Sequence, residues 1–294
     1  MEQPLIEIRE QQKASWNKFS AGWEKWDKLN SEFLKPMGDE IIRLIHAEND
    51  SAVLDIASGT GQPGLTIASK LKNGKVFLSD LSDDMLAIAR RNAVTLGIKN
   101  VETKVCDVCE LPFHDNSFNA ISCRFGFMFF PDVLLAAKEM YRVLKPGGRV
   151  ATAVWNGPEK NFWVTVAGGT INKNMNLSPP PPGAPGMFRC AEKDFISNVF
   201  HKAGFKSTSV KEVTSQLRCG TADVYWNLMT EVAAPFVAAL SKADDAMKAK
   251  IKSEVFDAIH QKYSPGKVVF DASDRRKNLS GSEIFVIHSS VVSY

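Results

Sequence analysis

The 294 residues suit one large α/β domain with a modest accessory part, and 44% hydrophobic with 23% charged residues is a composition able to bury a full core. A net charge of +3 is too mild to argue for nucleic acid, and five cysteines, an odd count, show no disulfide framework, so a reducing, cytoplasmic setting is expected. Glu2, Glu7 and Arg9 interrupt any apolar leader, and Asn119, Arg124 and Asp132 interrupt the most apolar stretch, Phe118 to Ala137, so neither a secretory signal nor an integral membrane segment is expected.

Residues 5–46 read as helical. Trp16, Phe19, Trp23 and Trp26 recur at steps of three and four, which marks one helical face, and Pro36 with Gly38 is predicted to break the region into two helices. Residues 1–46 are read as a helical lid or cap, or equally as an amphipathic stripe packed on the core. The period then changes. Ala52 to Ala57 is a short apolar run ending near Gly59, as a buried strand would be. Leu65 to Leu71 reads as a helix, Lys75 to Asp80 as a second strand, Asp83 to Leu96 as a helix stopped by Gly97, and Val101 to Asp107 as a third strand. Asn119 to Arg124 is a fourth strand, Pro131 to Leu144 a helix, and Arg149 to Trp155 a fifth strand. Strands alternating with helices predict a doubly wound, mostly parallel sheet, with ligands at the carboxyl ends of its strands. Residues 47–155 are therefore read as a Rossmann-like core.

Residues 156–294 are read as substrate-side loops, a helical insertion and the closing strands of the same domain. Ser178 to Gly186 is a stiff proline-rich loop. Ala191 to Ala203 is predicted helical with Gly204 as its stop, Lys206 to Val213 a strand, Thr221 to Tyr263 mostly helical, and Glu283 to Val292 a final strand. Val224, Leu228, Val232 and Phe236 suit a helix packed over the sheet edge, and Arg275-Arg276-Lys277 reads as a solvated loop.

The first strand delivers Asp55-Ile56-Ala57-Ser58-Gly59-Thr60-Gly61-Gln62-Pro63-Gly64. Glycines here let the backbone turn tightly and approach a ligand. Asp80 ends the second strand, where a carboxylate accepts hydrogen bonds from ribose hydroxyls. Gly59-x-Gly61-x-x-Gly64 also matches a dinucleotide fingerprint, so an NAD(P)-dependent oxidoreductase is the alternative. Asp55 argues against it: a carboxylate at the start of this turn repels a diphosphate and welcomes an ammonium group.

Four ordered segments carry a specific resemblance. They are Val53 to Gly61, Ser79 to Ala89, Cys106 to Phe113 (Cys-Asp-Val-Cys-Glu-Leu-Pro-Phe) and Tyr141 to Gly148 (Tyr-Arg-Val-Leu-Lys-Pro-Gly-Gly). In these the chain resembles the class I S-adenosylmethionine-dependent methyltransferases, in particular those similar to the ubiquinone/menaquinone biosynthesis methyltransferases. The resemblance implies a Rossmann-like sheet of seven strands with the last antiparallel, and S-adenosyl-L-methionine as cofactor. It implies that Asp55, Ala57 and Gly59 line the methionine part, that Asp80 holds the ribose, and that Leu81 and Met85 pack on the adenine. It implies that Asp107 accepts from the adenine amino group, that Val108 offers its backbone N–H, and that Arg124 borders the methionine side. Ala57 departs from the family, which usually has glycine there; alanine fits if φ is negative. The Asn/Asp-Pro-Pro-aromatic motif of DNA amino-methyltransferases is replaced by Arg124-Phe125-Gly126-Phe127.

The implied reaction is methylation of a small molecule at oxygen, nitrogen or carbon. No catalytic base stands out: His114, Arg124 and Trp155 are the candidates, with Trp155 as a pocket wall and Arg124 also able to orient an anionic substrate. Cys106-x-x-Cys109 lacks a second pair, so no metal is expected. A non-catalytic cofactor-binding protein is the remaining alternative. Partners are a small-molecule substrate and no nucleic acid, with a monomer or homodimer left open.

Overall fold

The computed structural model of the chain describes residues 3–178, 180–274, 279–280 and 282–288. Helices α1 (Gln3–Lys25) and α2 (Asp27–Ile45) precede an alternating run: β1 (Ala52–Ile56), α3 (Gly64–Lys70), β2 (Lys75–Asp80), α4 (Asp83–Thr95), β3 (Val101–Val105), β4 (Phe118–Arg124), α5 (Val133–Val143) and β5 (Leu144–Trp155). Then follow α6 (Phe162–Met175), α7 (Phe195–Ala203), β6 (Ser207–Val213), β7 (Gln216–Gly220), α8 (Ala222–Val232), α9 (Ala234–Leu240), α10 (Asp245–His260) and β8 (Val268–Asp271). The two-residue strands β9 (Ser273–Asp274) and β10 (Leu279–Ser280) pair with each other, and β11 (Ser282–His288) closes the fold.

The sheet runs β3-β2-β1-β4-β5-β11-β6. Its core is five parallel strands, and the seven of the expectation are reached with β6 and β11, the latter antiparallel to both neighbours. The chain winds outward from β1 through β2 to β3, then returns to β4 on the other side of β1. Strand order therefore reverses between β1 and β4, and a ligand crevice opens at such a switch. Val53, Leu54, Val76, Leu78, Ile121 and Val150 are all buried, as expected for strands covered on both faces. Gln216 to Gly220 and Val268 to Asp271 form a separate antiparallel pair that the sequence pattern did not announce.

Several boundaries differ from the reading of the sequence. The break between the N-terminal helices is at Trp26, and Pro36 lies inside α2. A proline inside a helix removes one i to i−4 bond, here the one to Glu32 O, and α2 runs through it with Phe33, Leu34, Met37 and Ile41 buried on either side. Here the Ser215 hydroxyl donates to Phe33 O, and Arg124 Nη1 donates to Leu34 O at 3.4 Å. Gly38 is a packing position, lying against Arg124 and Pro63. α7 begins only at Phe195, because Asp194 takes a left-handed conformation (φ 62°) before it. α8 packs on α1, α9 and β7 and not over the edge of the large sheet. Of the last predicted strand, positions 289–292 lie outside the described residues, as does Arg275-Arg276-Lys277.

The two N-terminal helices are anchored very differently. α2 buries Phe33, Leu34, Met37, Ile41 and Ile45, each worth about 1.5–3 kcal/mol when fully removed from water. α1 has no buried residue. Among the described residues no helix is long and apolar enough to cross a membrane.

Candidate active site

The carboxyl ends of β1, β2, β3, β4 and β5 bring Asp55, Asp80, Asp107, Arg124 and Trp155 to one edge of the sheet. Asp55 marks the switch itself. It sits in register with Ser122 of β4, whose hydroxyl donates to its Oδ1 at 2.6 Å, while Gly64 N–H donates to Oδ2 at 3.0 Å. The carboxylate is fully buried, and burial pushes its pKa up to about 7 against the pull of Ser122, Arg124 and Gly64. Its direct partners are thus the turn that follows β1 and the neighbouring strand. Gly64 is required for this: a Cβ there would stand 2.7 Å from Asp55 Oδ2 and closer still to Leu78.

Asp80 is tied in the same way. Gly59 N–H donates to its Oδ2 and Ser82 N–H to its Oδ1, both at 2.9 Å. Burial raises its pKa, and these amides oppose the rise. It is both a strand-end cap and a carboxylate with lone pairs facing the loop, because each oxygen accepts more than one bond. Gly59 has φ +53° and open space on its Cβ side, so the backbone there is free for close approach by a ligand. Met85 is buried beneath, with its N–H capped by Ser82 Oγ.

Asp107 divides its two oxygens. Oδ1 caps the short 3-10 turn that holds Val108 by accepting from Cys109 N–H at 2.8 Å. Oδ2 is buried with no hydrogen-bond partner, and Arg9 Nη1 stands 3.8 Å away. A buried carboxylate oxygen left unbonded is costly, so this atom suits a ligand donor such as an exocyclic amino group.

Ala57 takes φ +52°, in the left-handed region, contrary to the negative φ anticipated for an alanine. The glycine turn imposes this conformation on it. Its methyl packs toward Gly126: a Cβ on Gly126 would lie far inside 3 Å of Ala57 Cβ. Phe125 also has positive φ (+61°), uncommon for a bulky residue. It stacks on Trp155 at 4.2 Å with ring planes 10° apart, and Trp155 also packs on Phe33 at 5.6 Å and Trp163 at 5.1 Å. Trp155 is thus embedded in an aromatic wall, and Phe125 is its partly exposed member.

Arg124 is held between α2 and β1. Burial lowers its pKa to about 10, while Asp55 and Asp27 favour its charge. His114 is not in the site: it is exposed on the turn entering the amino end of β4, the far edge of the sheet. His46, His201 and His260 are exposed as well. Cys106 and Cys109 are free thiols whose pKa burial pushes up to about 12, and no metal-binding cluster occurs among the described residues.

Helices α1 and α2 cover this edge. Thr60 Oγ1 donates to Asp27 Oδ1 at 2.8 Å, and Ser82 Oγ donates to Asn17 Oδ1 at 2.6 Å. Trp16 meets Phe129 edge-on at 5.4 Å, and Trp23 Nε1 is buried without a partner. Asn17, Asp27 and Asn30 did not stand out in the sequence, because a polar residue on an amphipathic helix normally faces water.

Asp55, Asp80 and Asp107 make this edge acidic. It suits a cationic amino acid joined to a nucleoside and opposes a diphosphate. A family profile described as a methyltransferase domain matches residues 53–148. The chain is 30% identical over 268 residues to the ubiquinone/menaquinone biosynthesis C-methyltransferase UbiE of Rickettsia prowazekii, covering 86% of this chain and 88% of that one. A putative methyltransferase from Bacillus halodurans superposes with a TM-score of 0.54 at 20% identity over 86% of this chain and 99% of its own. A phosphoethanolamine N-methyltransferase 2 from Haemonchus contortus, in complex with phosphomonomethylethanolamine and S-adenosylhomocysteine, gives a TM-score of 0.52 at 18% identity over 87% of this chain and 52% of its own. The chain belongs to the class I S-adenosylmethionine-dependent methyltransferases, in the ubiquinone/menaquinone biosynthesis methyltransferase family, and it methylates a small-molecule acceptor with S-adenosylmethionine as its cofactor.

Proposed function

We propose that the acceptor is a flat, hydroxylated aromatic ring seated against Phe125, and that methyl transfer is to a ring carbon. The observation that carries this is the aromatic wall at the ends of β4 and β5, with Phe125 stacked on Trp155 at 4.2 Å. Aromatic rings favour offset stacking by about 0.5–1.5 kcal/mol beyond the area they bury. Phe125 is partly exposed beside this stack and takes a positive φ, and such strain clusters at functional sites. The C-methyltransferase named among the relatives agrees with a carbon acceptor.

When bound, S-adenosylmethionine supplies an electrophilic methyl group on a sulfonium. The chain's own residues then bind and orient. Asp80 holds the ribose, Leu81 and Met85 pack on the adenine, and Asp107 Oδ2 accepts from the adenine amino group beside Val108. Asp55 fixes the turn carrying Ala57 and Gly59 and places negative potential beneath the ammonium and sulfonium. Positioning of this kind gives effective molarities of ~10⁵ M or more. A ring carbon activated by its own hydroxyl asks little of a protein base, in keeping with the exposure of His46, His114, His201 and His260. α1 acts as the cover of the site, residues 47–155 as the cofactor-binding core, and residues 156–294 as the acceptor side.

The test is label transfer from methyl-tritiated S-adenosylmethionine to hydroquinones, catechols, amines and carboxylates, with the methylated atom located by NMR. Products on ring carbon are expected, and Phe125→Ala should raise KM for the acceptor more than for the cofactor. Exclusive methylation of amines would refute the proposal.

A further inference from the structure

Asn30 is a buried donor with nothing to donate to. Its side chain belongs to a residue only 8% exposed, and its Nδ2 has no hydrogen-bond partner. Donors left in this state are rare in folded proteins and point to a missing acceptor. Its place on α2 says which acceptor. Asp27, Asn30, Leu34 and Gly38 follow one another at steps of three and four along one helical face. Asp27 accepts from Thr60 of the glycine turn, Leu34 O accepts from Arg124, and Gly38 lies against Arg124 and Pro63. Neighbouring Phe33 packs on Trp155. Both neighbours of Asn30 on this face are thus docked on the crevice between β1 and β4, and Asn30 spans the interval between them.

The charge pattern completes the argument. Asp55 and Asp27 supply negative charge at this end of the crevice and match a ligand cation. An amino-acid moiety also carries a carboxylate, which needs donors. The Arg124 guanidinium and the Asn30 amide are the donors this wall offers. We infer that Asn30 binds the carboxylate of the cofactor's methionine moiety, alongside Arg124. This rests on the reading that S-adenosylmethionine lies in this crevice. Asn30 touches cofactor only, and the bond orients the sulfonium end without taking part in the transfer.

The test compares two probes by calorimetry: S-adenosylhomocysteine, and its decarboxylated analogue S-adenosyl-3-thiopropylamine, which keeps the amine. A hydrogen bond to a charged group is worth a factor of about 10–100. Asn30→Ala should weaken S-adenosylhomocysteine binding by that factor and leave the analogue within about twofold. Asn30→Asp, an acceptor of the same shape, should weaken it further, with thermal melts as the check that both variants fold. Equal losses for the two probes, or no loss for either, overturn the inference while the site stands. Failure of the wild-type chain to bind S-adenosylhomocysteine overturns the site and the inference together.

Discussion

Gly126→Ala is expected to destabilise the chain through a single contact that a second substitution removes. Gly126 has φ −84° and ψ −38°, so alanine suits its backbone. Space is the obstacle. The added Cβ would overlap Ala57 Cβ and lie 3.2 Å from Cys123 Sγ and 3.5 Å from Phe130. Cys123 and Phe130 can give by a few tenths of an ångström; Ala57 cannot, because its methyl is fixed to the glycine turn. Overpacking of this kind costs about 1–3 kcal/mol. Ala57→Gly alone relieves a left-handed alanine, worth about 1–2 kcal/mol, and loses about 0.4–1 kcal/mol through the freer unfolded chain. The single change should therefore be neutral or slightly stabilising. In the double variant most of the Gly126→Ala cost should vanish, a coupling of about 1–2 kcal/mol. Urea denaturation of the four proteins gives the cycle. Additivity within about 0.5 kcal/mol would show that the methyl of Ala57 does not face Gly126 and would refute the account of the turn.

Gly64→Ala should abolish S-adenosylhomocysteine binding in calorimetry and lower stability by about 1–3 kcal/mol, since its Cβ would press on Leu78 and the Asp55 carboxylate. Asp55 has a folded pKa raised to about 7 from an ordinary value near 3.8, so the folded chain binds the extra proton between those limits and stability falls as pH rises through that window. Asp55→Asn should flatten that slope in urea melts at pH 5 and pH 7.5; an unchanged slope would assign it elsewhere. Asp107→Asn should lower affinity for S-adenosylhomocysteine by about tenfold with little change in melting temperature, since Oδ2 bonds nothing in the folded chain. Amide exchange should be fastest in α1 and slow on adding S-adenosylhomocysteine, with α2 protected throughout; equal protection of both helices would count against α1 as the cover.

The core was legible because its signals are local. Apolar runs of five or six residues closed by Gly59, Asp80 or Arg124 give strand ends almost directly, and those ends are where the ligand must lie. Asp55, Asp80 and Asp107 could be singled out by position, but not what they bond: the partners of Asp55 are Ser122, 67 residues on, and Gly64, and only the strand order brings Ser122 beside it. The sign of φ at Ala57 was likewise invisible, because the turn and not the residue sets it. Pro36 misled because a proline in a helix reads as a stop, whereas the tertiary packing of Phe33, Leu34, Met37 and Ile41 around it, with partners as distant in sequence as Ser215 and Arg124, holds α2 in one piece. His114 was a candidate because it follows Pro112-Phe113, with a surface turn as its other reading, and residues 113–117 do carry the chain back to the opposite edge before β4 begins.

The two N-terminal helices are anchored unequally, which makes α1 the better candidate for a movable cover. α2 cannot lift without exposing Phe33, Met37 and Ile41 and breaking the Phe33–Trp155 stack, a loss of several kcal/mol. α1 is tied by two exposed pairs, Arg91 to Glu24 at 2.6 Å and Lys25 to Glu231 at 2.7 Å, and by the partly buried contacts of Asn17 with Ser82, Trp16 with Phe129 and Arg9 with Asp107. Exposed pairs contribute about 0–1 kcal/mol each. The Arg9 contact also engages the Asp107 oxygen that the proposed site offers to the adenine, so on that reading cofactor binding displaces the arginine. On the proposed reading the cofactor enters beneath α1 on the β2–β3 side, while α2, held by Phe33, Met37 and Ile41, keeps the aromatic wall and Asn30 in place.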